Sequence, residues 1–295
     1  MSGILEGGRE VKYRFIRENA KTYEVKVMCR LLRVSRQAYY DWCKRRKSQR
    51  QIDSELLMDA IREVYREFKG RYGSPRIALE LCKRGIFTSK NRVARHMQRM
   101  GLVALPWRRK HRLGRKPSAG RIVENLVQRA FSAETKNVLW VGDITYIPLQ
   151  HGFLYLATYI DVFSRKVVGW AMKTRMTEQL VIDAFLQAEG REQPPAGLIV
   201  HTDRGSQYTS RRYQETVKRH GGVISMSRLG DPYDNAVMEA FYKTLKAELL
   251  AGGKFAGVRE AEKAVFEYIE MFYNSKRMHS ALGYLTPKEY ERCHT

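Results

Sequence analysis

The chain has 295 residues, 43% of them hydrophobic and 11% aromatic, which is enough for two or three small domains and excludes an intrinsically disordered protein. Its 54 Lys and Arg against 31 Asp and Glu give a net charge of +23, which indicates a polyanionic partner such as nucleic acid. Four scattered cysteines without metal-site spacing, and the lack of a signal peptide or long apolar stretch, exclude a disulfide framework, a zinc finger, secretion and a membrane span, so we expect a protein of the cytoplasm.

The positive charge is concentrated in the first half of the chain. Residues 1–135 contain 33 Lys and Arg against 13 Asp and Glu, a net +20, whereas residues 136–295 are nearly neutral at +3. We therefore expect the first half to bind DNA and the second half to be a scaffold that carries a specific site. The alternative is a basic protein whose charge only keeps it soluble.

A first helix-turn-helix is predicted within residues 1–50. Apolar residues recur at helical spacing over residues 27–32, Arg33 and Val34 supply the turn, and Ser35 can cap the second helix. The side chains of this second helix that can reach base edges or phosphates are Arg36, Gln37 and Tyr40.

A second helix-turn-helix is predicted within residues 51–105. Pro75 fits a first helical turn, Gly85 ends that helix, and Ser89 caps the next one. The cations of that last helix that can contact DNA include Arg92, Arg95 and Arg99. A helical hairpin with a basic solvated face explains either unit alone, but two in tandem in so basic a segment favour DNA binding.

A basic linker is predicted over residues 106–135. Residues 106–121 contain seven Lys and Arg, no acid, and several Pro and Gly, which favours an extended and exposed segment. Its candidate DNA contacts are Arg108, Arg109 and Lys110. Trp107 either stacks on DNA or anchors the linker on a neighbouring domain.

Short strands are predicted from Asn137 onward. Three strands, with a hairpin turn at Ser164 and Arg165, are followed by an alternation of helix, strand, helix, strand and helix. This order predicts an α/β domain over residues 136–255, with a mixed five-stranded sheet and flanking helices. Residues 256–295 are predicted to form a C-terminal helix and tail that pack on this core.

Three carboxylates have sequence surroundings that are unusual for surface acids. Asp143 lies within an apolar strand, Asp203 ends a second apolar strand, and Glu239 lies early in a helix whose predicted cap is Asp234. Buried carboxylates are costly unless they are paired, hydrogen-bonded or bound to metal. Taken singly, Asp143 is better explained as a hydrogen-bonded structural acid and Glu239 as part of a solvated helix face.

As a set, these acids predict a site for two Mg²⁺ or Mn²⁺ ions. Two strand acids and one helix acid can converge on a pair of ions about 3.5–4 Å apart, which activate a water or sugar hydroxyl and stabilise the leaving 3′ oxygen. Mg²⁺ suits an oxygen-only site in which the substrate supplies further ligands. No Cys or His clusters with the three acids in the sequence.

The motifs around these acids resemble those of DDE transposases and retroviral integrases. The segments are W-x-x-D-I-T-Y at 140–146, H-T-D-R-G-S-Q-Y at 201–208 and D-N-A-x-x-E-A-F at 234–241, with 35 residues between Asp203 and Glu239. The tail at 273–289 resembles the C-terminal signature of the same family. Over nearly the whole chain, the resemblance is greatest to OrfB-type transposases, encoded in the second reading frame of bacterial insertion sequences.

The resemblance implies a ribonuclease H-like integrase core that cleaves DNA at terminal inverted repeats and joins the freed 3′-hydroxyl directly to another phosphodiester. It also implies that Lys246 contacts DNA; helical spacing places Lys243 on the same face as Lys246 and Glu239. Joining two ends implies a homo-oligomer on double-stranded element and target DNA. The family often adds a helix-turn-helix and coiled-coil partner from an upstream frame; without a heptad repeat near residue 1, we expect that part to be absent here.

Several residues beside the acids have two interpretations. His201 either contacts the scissile DNA or is a hydrogen-bonded structural residue, and Asn235 either caps a helix or contacts DNA. Arg204, in the loop after Asp203, is expected to hold the target strand. Two other functions also fit: a DNA-binding regulator with an inactive core, and a nuclease that cuts without joining.

Overall fold

The computed structural model describes residues 7–44, 48–105, 121–228, 232–251 and 253–294. The chain divides into two compact units, residues 1–63 and 64–295. The five-segment division predicted from the sequence stays a prediction. Within the described ranges, no helix is both long enough and apolar enough to cross a membrane.

The first unit is entirely helical where it is described. Its small core contains Ile16, Met28 and Tyr39, and Arg33 takes a left-handed φ of 52° in the turn between two helices. The Ser35 hydroxyl accepts a hydrogen bond from the Ala38 amide, as predicted for a cap. The helices are α1 (Arg9–Asn19), α2 (Val25–Leu31), α3 (Arg36–Lys44) and α4 (Gln49–Glu67), the last of which crosses into the second unit.

The second unit begins with a helical pair, α5 (Ser74–Lys83) and α6 (Lys90–Arg99). The Ser89 hydroxyl caps α6 by accepting from the Arg92 amide at 3.2 Å, which confirms the predicted start of that helix. The buried face of α6 consists of Val93, His96 and Met97.

A mixed five-stranded sheet forms the centre of the second unit, in the order β3-β2-β1-β4-β5. β1 pairs with β2 and β2 with β3 in antiparallel fashion, whereas β1, β4 and β5 are parallel. The predicted α/β core with its mixed sheet and flanking helices is therefore confirmed. The strands are β1 (Leu139–Pro148), β2 (Phe153–Asp161), β3 (Val167–Lys173), β4 (Ile199–Thr202) and β5 (Val223–Met226).

One face of the sheet packs against helix α7 (Glu178–Glu192) in a continuous apolar core. Gly169 on β3 makes this close packing possible, since a Cβ there would lie 2.4 Å from the Ala184 carbonyl oxygen. The remaining helices of the sheet domain are α8 (Arg211–Arg219) and α9 (Ala236–Leu249), the latter preceded by a 3₁₀ turn at Pro232–Asn235.

The C-terminal segment packs back on the sheet and on the helical pair. The Asn274 amide pairs with both backbone groups of Val167 at 2.9 Å, and the Tyr72 hydroxyl donates to the Lys276 carbonyl. The segment consists of α10 (Val258–Phe266), a π-helical stretch at Glu267–Tyr273, a 3₁₀ turn at Ser280–Leu282 and α11 (Pro287–His294).

Candidate active site

The parallel register of β1 and β4 brings two of the predicted acids together. Val141 is opposite His201, and the same register extended by two residues sets Asp203 beside Asp143. Neighbouring strands are about 4.8 Å apart, and residues two apart share a face, so both carboxylates lie on the same side of the sheet. Asp143 is 8% exposed, and Asp203 is half-buried one residue beyond the end of β4.

Helix α9, which carries Glu239, is fastened to β1 beside Asp143. The Asn235 amide nitrogen donates to the Gly142 carbonyl at 3.2 Å, and the Tyr242 hydroxyl donates to the Asp143 carbonyl. Because Asn235, Glu239 and Tyr242 are spaced four and three residues apart, Glu239 is on the helix face turned toward β1. The Asn235 amide is therefore used structurally, but it binds β1 and makes no side-chain cap bond to α9.

Asp234 does not cap α9, so this prediction was wrong. Its carboxylate is fully buried and accepts from the Asn125 side chain, from Arg129, and from the backbone and guanidinium of Arg228. Hydrogen bonds from Arg228 lower the pKa of Asp234 far below its usual range, against the opposing effect of burial. Asp234 thus ties the start of the Glu239 helix to two other segments of the chain.

His201 has a structural role and is not exposed for contact with DNA. The ring is fully buried, its Nε2 lies 2.7 Å from the Asp234 carbonyl oxygen, and its Nδ1 lies 2.8 Å from the Ser225 hydroxyl. A carbonyl only accepts, so Nε2 carries the proton and Nδ1 accepts from Ser225. Burial lowers the pKa of His201, and the ring supports the start of α9 in its neutral form.

Two buried polar atoms near the acids have no hydrogen-bond partner among the described residues: the Tyr208 hydroxyl and the Asn235 side-chain oxygen. Burial raises the pKa of Tyr208 well above its ordinary value, and the charges of Asp143 and Asp203 raise it further, so this hydroxyl is close to both carboxylates. Sequence reasoning missed Tyr208 and Tyr242. Their signals were a tyrosine inside the second acid motif and another one helical turn after Glu239.

Strand pairing and the bonds of α9 to β1 bring the three acid-bearing segments together, but the carboxylates do not form a tight ligand group. In the part of the chain that the structure describes, no group of three or more His, Cys, Asp or Glu side chains is close enough to hold a metal ion. Asp143 and Asp203 each accept from a nearby backbone amide, of Ile144 and Gly205, at 2.8 and 2.9 Å, and Glu239 forms an ion pair with Lys243 at 3.5 Å. These contacts offset part of the repulsion between like charges.

The predicted DNA contacts have varied surroundings. Lys246 lies with its Nζ 4.1 Å from the centre of the Tyr146 ring, and the Arg204 Nε donates to the Ser227 carbonyl at 2.7 Å. Arg108, Arg109 and Lys110, with Trp107, lie outside the described residues. The exposed candidates are Arg36, Gln37, Tyr40, Arg95, Arg99 and Lys243, whereas Arg92 is half-buried.

Comparisons with known proteins agree with these features. Family models described as "Integrase core domain" match residues 133–232 and 239–294, and one described as "HTH-like domain" matches residues 51–111. The chain is 51% identical over 248 residues to the transposase for insertion sequence element IS904 of Lactococcus lactis, over 84% of this chain and 98% of that protein. It is 41% identical over 283 residues to transposase InsF for insertion sequence IS3A of Escherichia coli, over 95% of this chain and 98% of that protein.

Among solved structures, the chain is similar to the catalytic core domain of HTLV-2 integrase in complex with magnesium. The TM-score is 0.42 and the sequence identity 22%, over 53% of this chain and 97% of that chain.

Proposed function

The chain belongs to the transposases of bacterial insertion sequences, and from that premise we propose that Asp143, Asp203 and Glu239 form the centre where DNA is cut and joined. In this proposal the site exposes a 3′-hydroxyl at a terminal inverted repeat and directs it at a second phosphodiester. The observation that carries the proposal is the pairing of β1 with β4, which sets Asp203 beside Asp143. The bonds from Asn235 and Tyr242 to β1 support a place for Glu239 in the same centre.

We propose that these carboxylates bind two divalent cations, Mg²⁺ or Mn²⁺. The donor set is made of oxygen atoms, which these hard cations prefer. A buried hydroxyl on Tyr208 and a buried amide oxygen on Asn235, both without partners among the described residues, fit a polar ligand in this region. When bound, the cations supply charge that activates the attacking oxygen and stabilises the leaving one.

The residues of the chain then have separate tasks. Asp234, His201 and Tyr242 hold α9 against the sheet, so that Glu239 keeps its position while DNA binds. Lys243 and Lys246, at one and two turns beyond Glu239, attract the phosphates of the strand that enters the site. The exposed cations of α3 and α6 add affinity for double-stranded DNA that does not depend on the reacting phosphate.

We further propose that the active form is a homo-oligomer on DNA, since two element ends have to meet at one target. A helix-turn-helix and coiled-coil protein from an upstream reading frame is a second proposed partner. Both proposals rest on the family alone. Crosslinking of the protein with and without element ends measures the first, and copurification with the upstream product measures the second.

A strand-transfer assay tests the proposed function. The substrate is a pre-nicked duplex with the sequence of the element end that flanks the gene, and it carries a free 3′-hydroxyl at that end. Supercoiled plasmid is the target. We expect Mg²⁺-dependent joining that Asp203→Asn abolishes, with DNA binding retained. Asp183→Asn is the matched control and is expected to join DNA normally. Asp183 is on helix α7, away from the acids, and its carboxylate pairs with Lys173 at 2.7 Å.

Each other result of that assay has a definite meaning. Full joining by Asp203→Asn refutes the assignment of the acids. Cut product without joined product favours a nuclease on the same core. Sequence-specific binding with neither product, by the wild-type chain, favours a DNA-binding regulator.

A further inference from the structure

Two exposed aromatic rings lie side by side at the far end of the first hairpin of the sheet. Tyr146 on β1 is 48% exposed and Phe153 on β2 is 52% exposed, and their ring centres are 5.2 Å apart at an interplanar angle of 76°. The ammonium of Lys246 lies over the Tyr146 ring, 4.1 Å from its centre. We call Tyr146 and Phe153 the aromatic platform.

The platform is reached from the catalytic acids by two routes. Helix α9 runs alongside β1, since its contacts advance in the same direction along both elements, from Asn235 at Gly142, through Tyr242 at Asp143, to Lys246 at Tyr146. Tyr146 is three positions beyond Asp143 on β1, about 10 Å along the strand at 3.3 Å per residue, and its side chain leaves the opposite face of the strand. Lys246 is seven positions beyond Glu239 on α9, again about 10 Å at 1.5 Å per residue.

The chemistry of this surface matches a nucleic-acid strand. Residues 146–155 contain no carboxylate, and exposed Lys254 is next to the Phe255 backbone that pairs with Leu149. Single exposed aromatics are ordinary, but two in contact, with a lysine held over one ring, offer a π surface and a cation together. Bases stack on such rings with little sequence preference, and the cation suits a phosphate.

Only an unpaired base can use the platform fully, since the bases inside a duplex are already stacked on both faces. At about 3.4 Å per nucleotide, the 10 Å route corresponds to roughly three nucleotides. We propose that the aromatic platform stacks an unpaired base of the element end, two or three nucleotides from the phosphate at Asp143 and Asp203, while Lys246 holds a phosphate of the same strand. This inference rests on the proposed function, and it adds that the end is opened as it is bound.

The test compares the affinity of the full chain for two labelled DNA ends, measured by anisotropy with a chelator so that no cleavage occurs. One end is fully paired, and the other has its last three base pairs mismatched. The wild type is expected to bind the mismatched end roughly tenfold more tightly, as one base stacked on an aromatic ring would give. Tyr146→Ala with Phe153→Ala is expected to bind both ends alike, whereas Tyr146→Phe keeps the preference.

Phe266→Ala is the matched control, because Phe266 is also 48% exposed but packs near Trp170 on the β3 side of the sheet. It is expected to keep the full preference, and unfolding temperatures verify that every variant is folded. A second readout uses 5-iodouracil at single positions of the end. Light-induced crosslinks to residue 146 or 153 are expected from the second or third nucleotide and from no other position.

The two proposals fail in different ways. Normal strand transfer with equal affinity for both ends overturns the platform and leaves the proposed function intact. A preference for the mismatched end that needs the platform, in a chain that neither cuts nor joins, supports stacking and overturns the proposed function. A double variant that keeps the preference but loses self-association shows that the rings bind a second copy of the chain, and this also overturns the inference.

Discussion

Removal of one charge from the buried pair of Glu248 and Arg277 should destabilise the second unit strongly. Both side chains are 8% exposed, and the Arg277 Nη2 donates to Glu248 at 2.9 Å. Burial alone would lower the pKa of Arg277, but the Glu248 carboxylate outweighs it and raises the pKa above its usual range. Glu248→Gln keeps the shape and leaves a buried guanidinium without its counter-charge.

The expected loss is about 3–5 kcal/mol, the range found when one partner of a buried pair is removed. For a unit of this size, each kcal/mol lowers the melting temperature by roughly 2–4 °C, so we expect a fall of roughly 6–20 °C. Circular dichroism monitors unfolding by urea and by heat. Glu215→Gln, whose pair with Arg211 lies in the solvent, is the control and is expected to change nothing measurable.

A double replacement separates the charge from the packing. If the cost arises from an unpaired buried charge, Glu248→Leu combined with Arg277→Met should recover most of the stability that Glu248→Gln loses. A loss of less than 1 kcal/mol in Glu248→Gln would refute the reasoning, because it would mean that Arg277 finds water or another acceptor. A double variant as unstable as the single one would mean that packing, not charge, dominates.

Three further predictions concern pH, packing and DNA affinity. Burial and neighbouring arginines lower the pKa of His279 to about 2, so on acidification the unfolded chain binds a proton here before the folded chain does. The free energy of unfolding should therefore fall by about 2 kcal/mol from pH 7.5 to 5. His279→Gln should show a smaller fall in its urea midpoint over the same pH range. Gly169→Ala should lower the free energy of urea unfolding by about 1–3 kcal/mol, because the new Cβ would collide with the backbone of α7. Gly190→Ala, on α7 itself but with open space around it, should raise the free energy of unfolding by up to about 1 kcal/mol. Arg95→Ala should reduce the slope of log affinity against log salt by about 1 in a DNA titration, and an unchanged slope would remove Arg95 from the interface.

The sheet was predictable because its signals are local. Alternation of apolar residues and the turn at Ser164 and Arg165 each depend on neighbours within a few residues. The helix caps at Ser35 and Ser89 were predictable for the same reason. The parallel pairing of β1 with β4 was not readable in this way, since the two strands are separated by a hairpin and a helix.

The supports of the site could not be predicted, because they join distant parts of the chain. Asp234 looks like a helix cap in sequence, yet one of its partners, Arg129, is 105 residues away in the predicted linker. His201 was left with two interpretations, since its burial depends on Ser225 and on the Asp234 carbonyl. Long-range hydrogen bonds of buried polar groups decide these roles, and sequence spacing does not contain them.

In the proposed function, a site made of carboxylates acts on DNA, whose phosphates those carboxylates repel, in a protein with a net charge of +23. Helix α9 resolves this conflict, because it carries an acid in its first turns and lysines one and two turns later. In the proposed function, Lys243 and Lys246 attract the phosphate chain, while the bonds of Asn235 and Tyr242 to β1 hold the helix that carries Glu239. Attraction and chemistry therefore depend on the seating of one helix. Loss of the Tyr242 hydroxyl should weaken strand transfer more than loss of either lysine, because it shifts Glu239, Lys243 and Lys246 together.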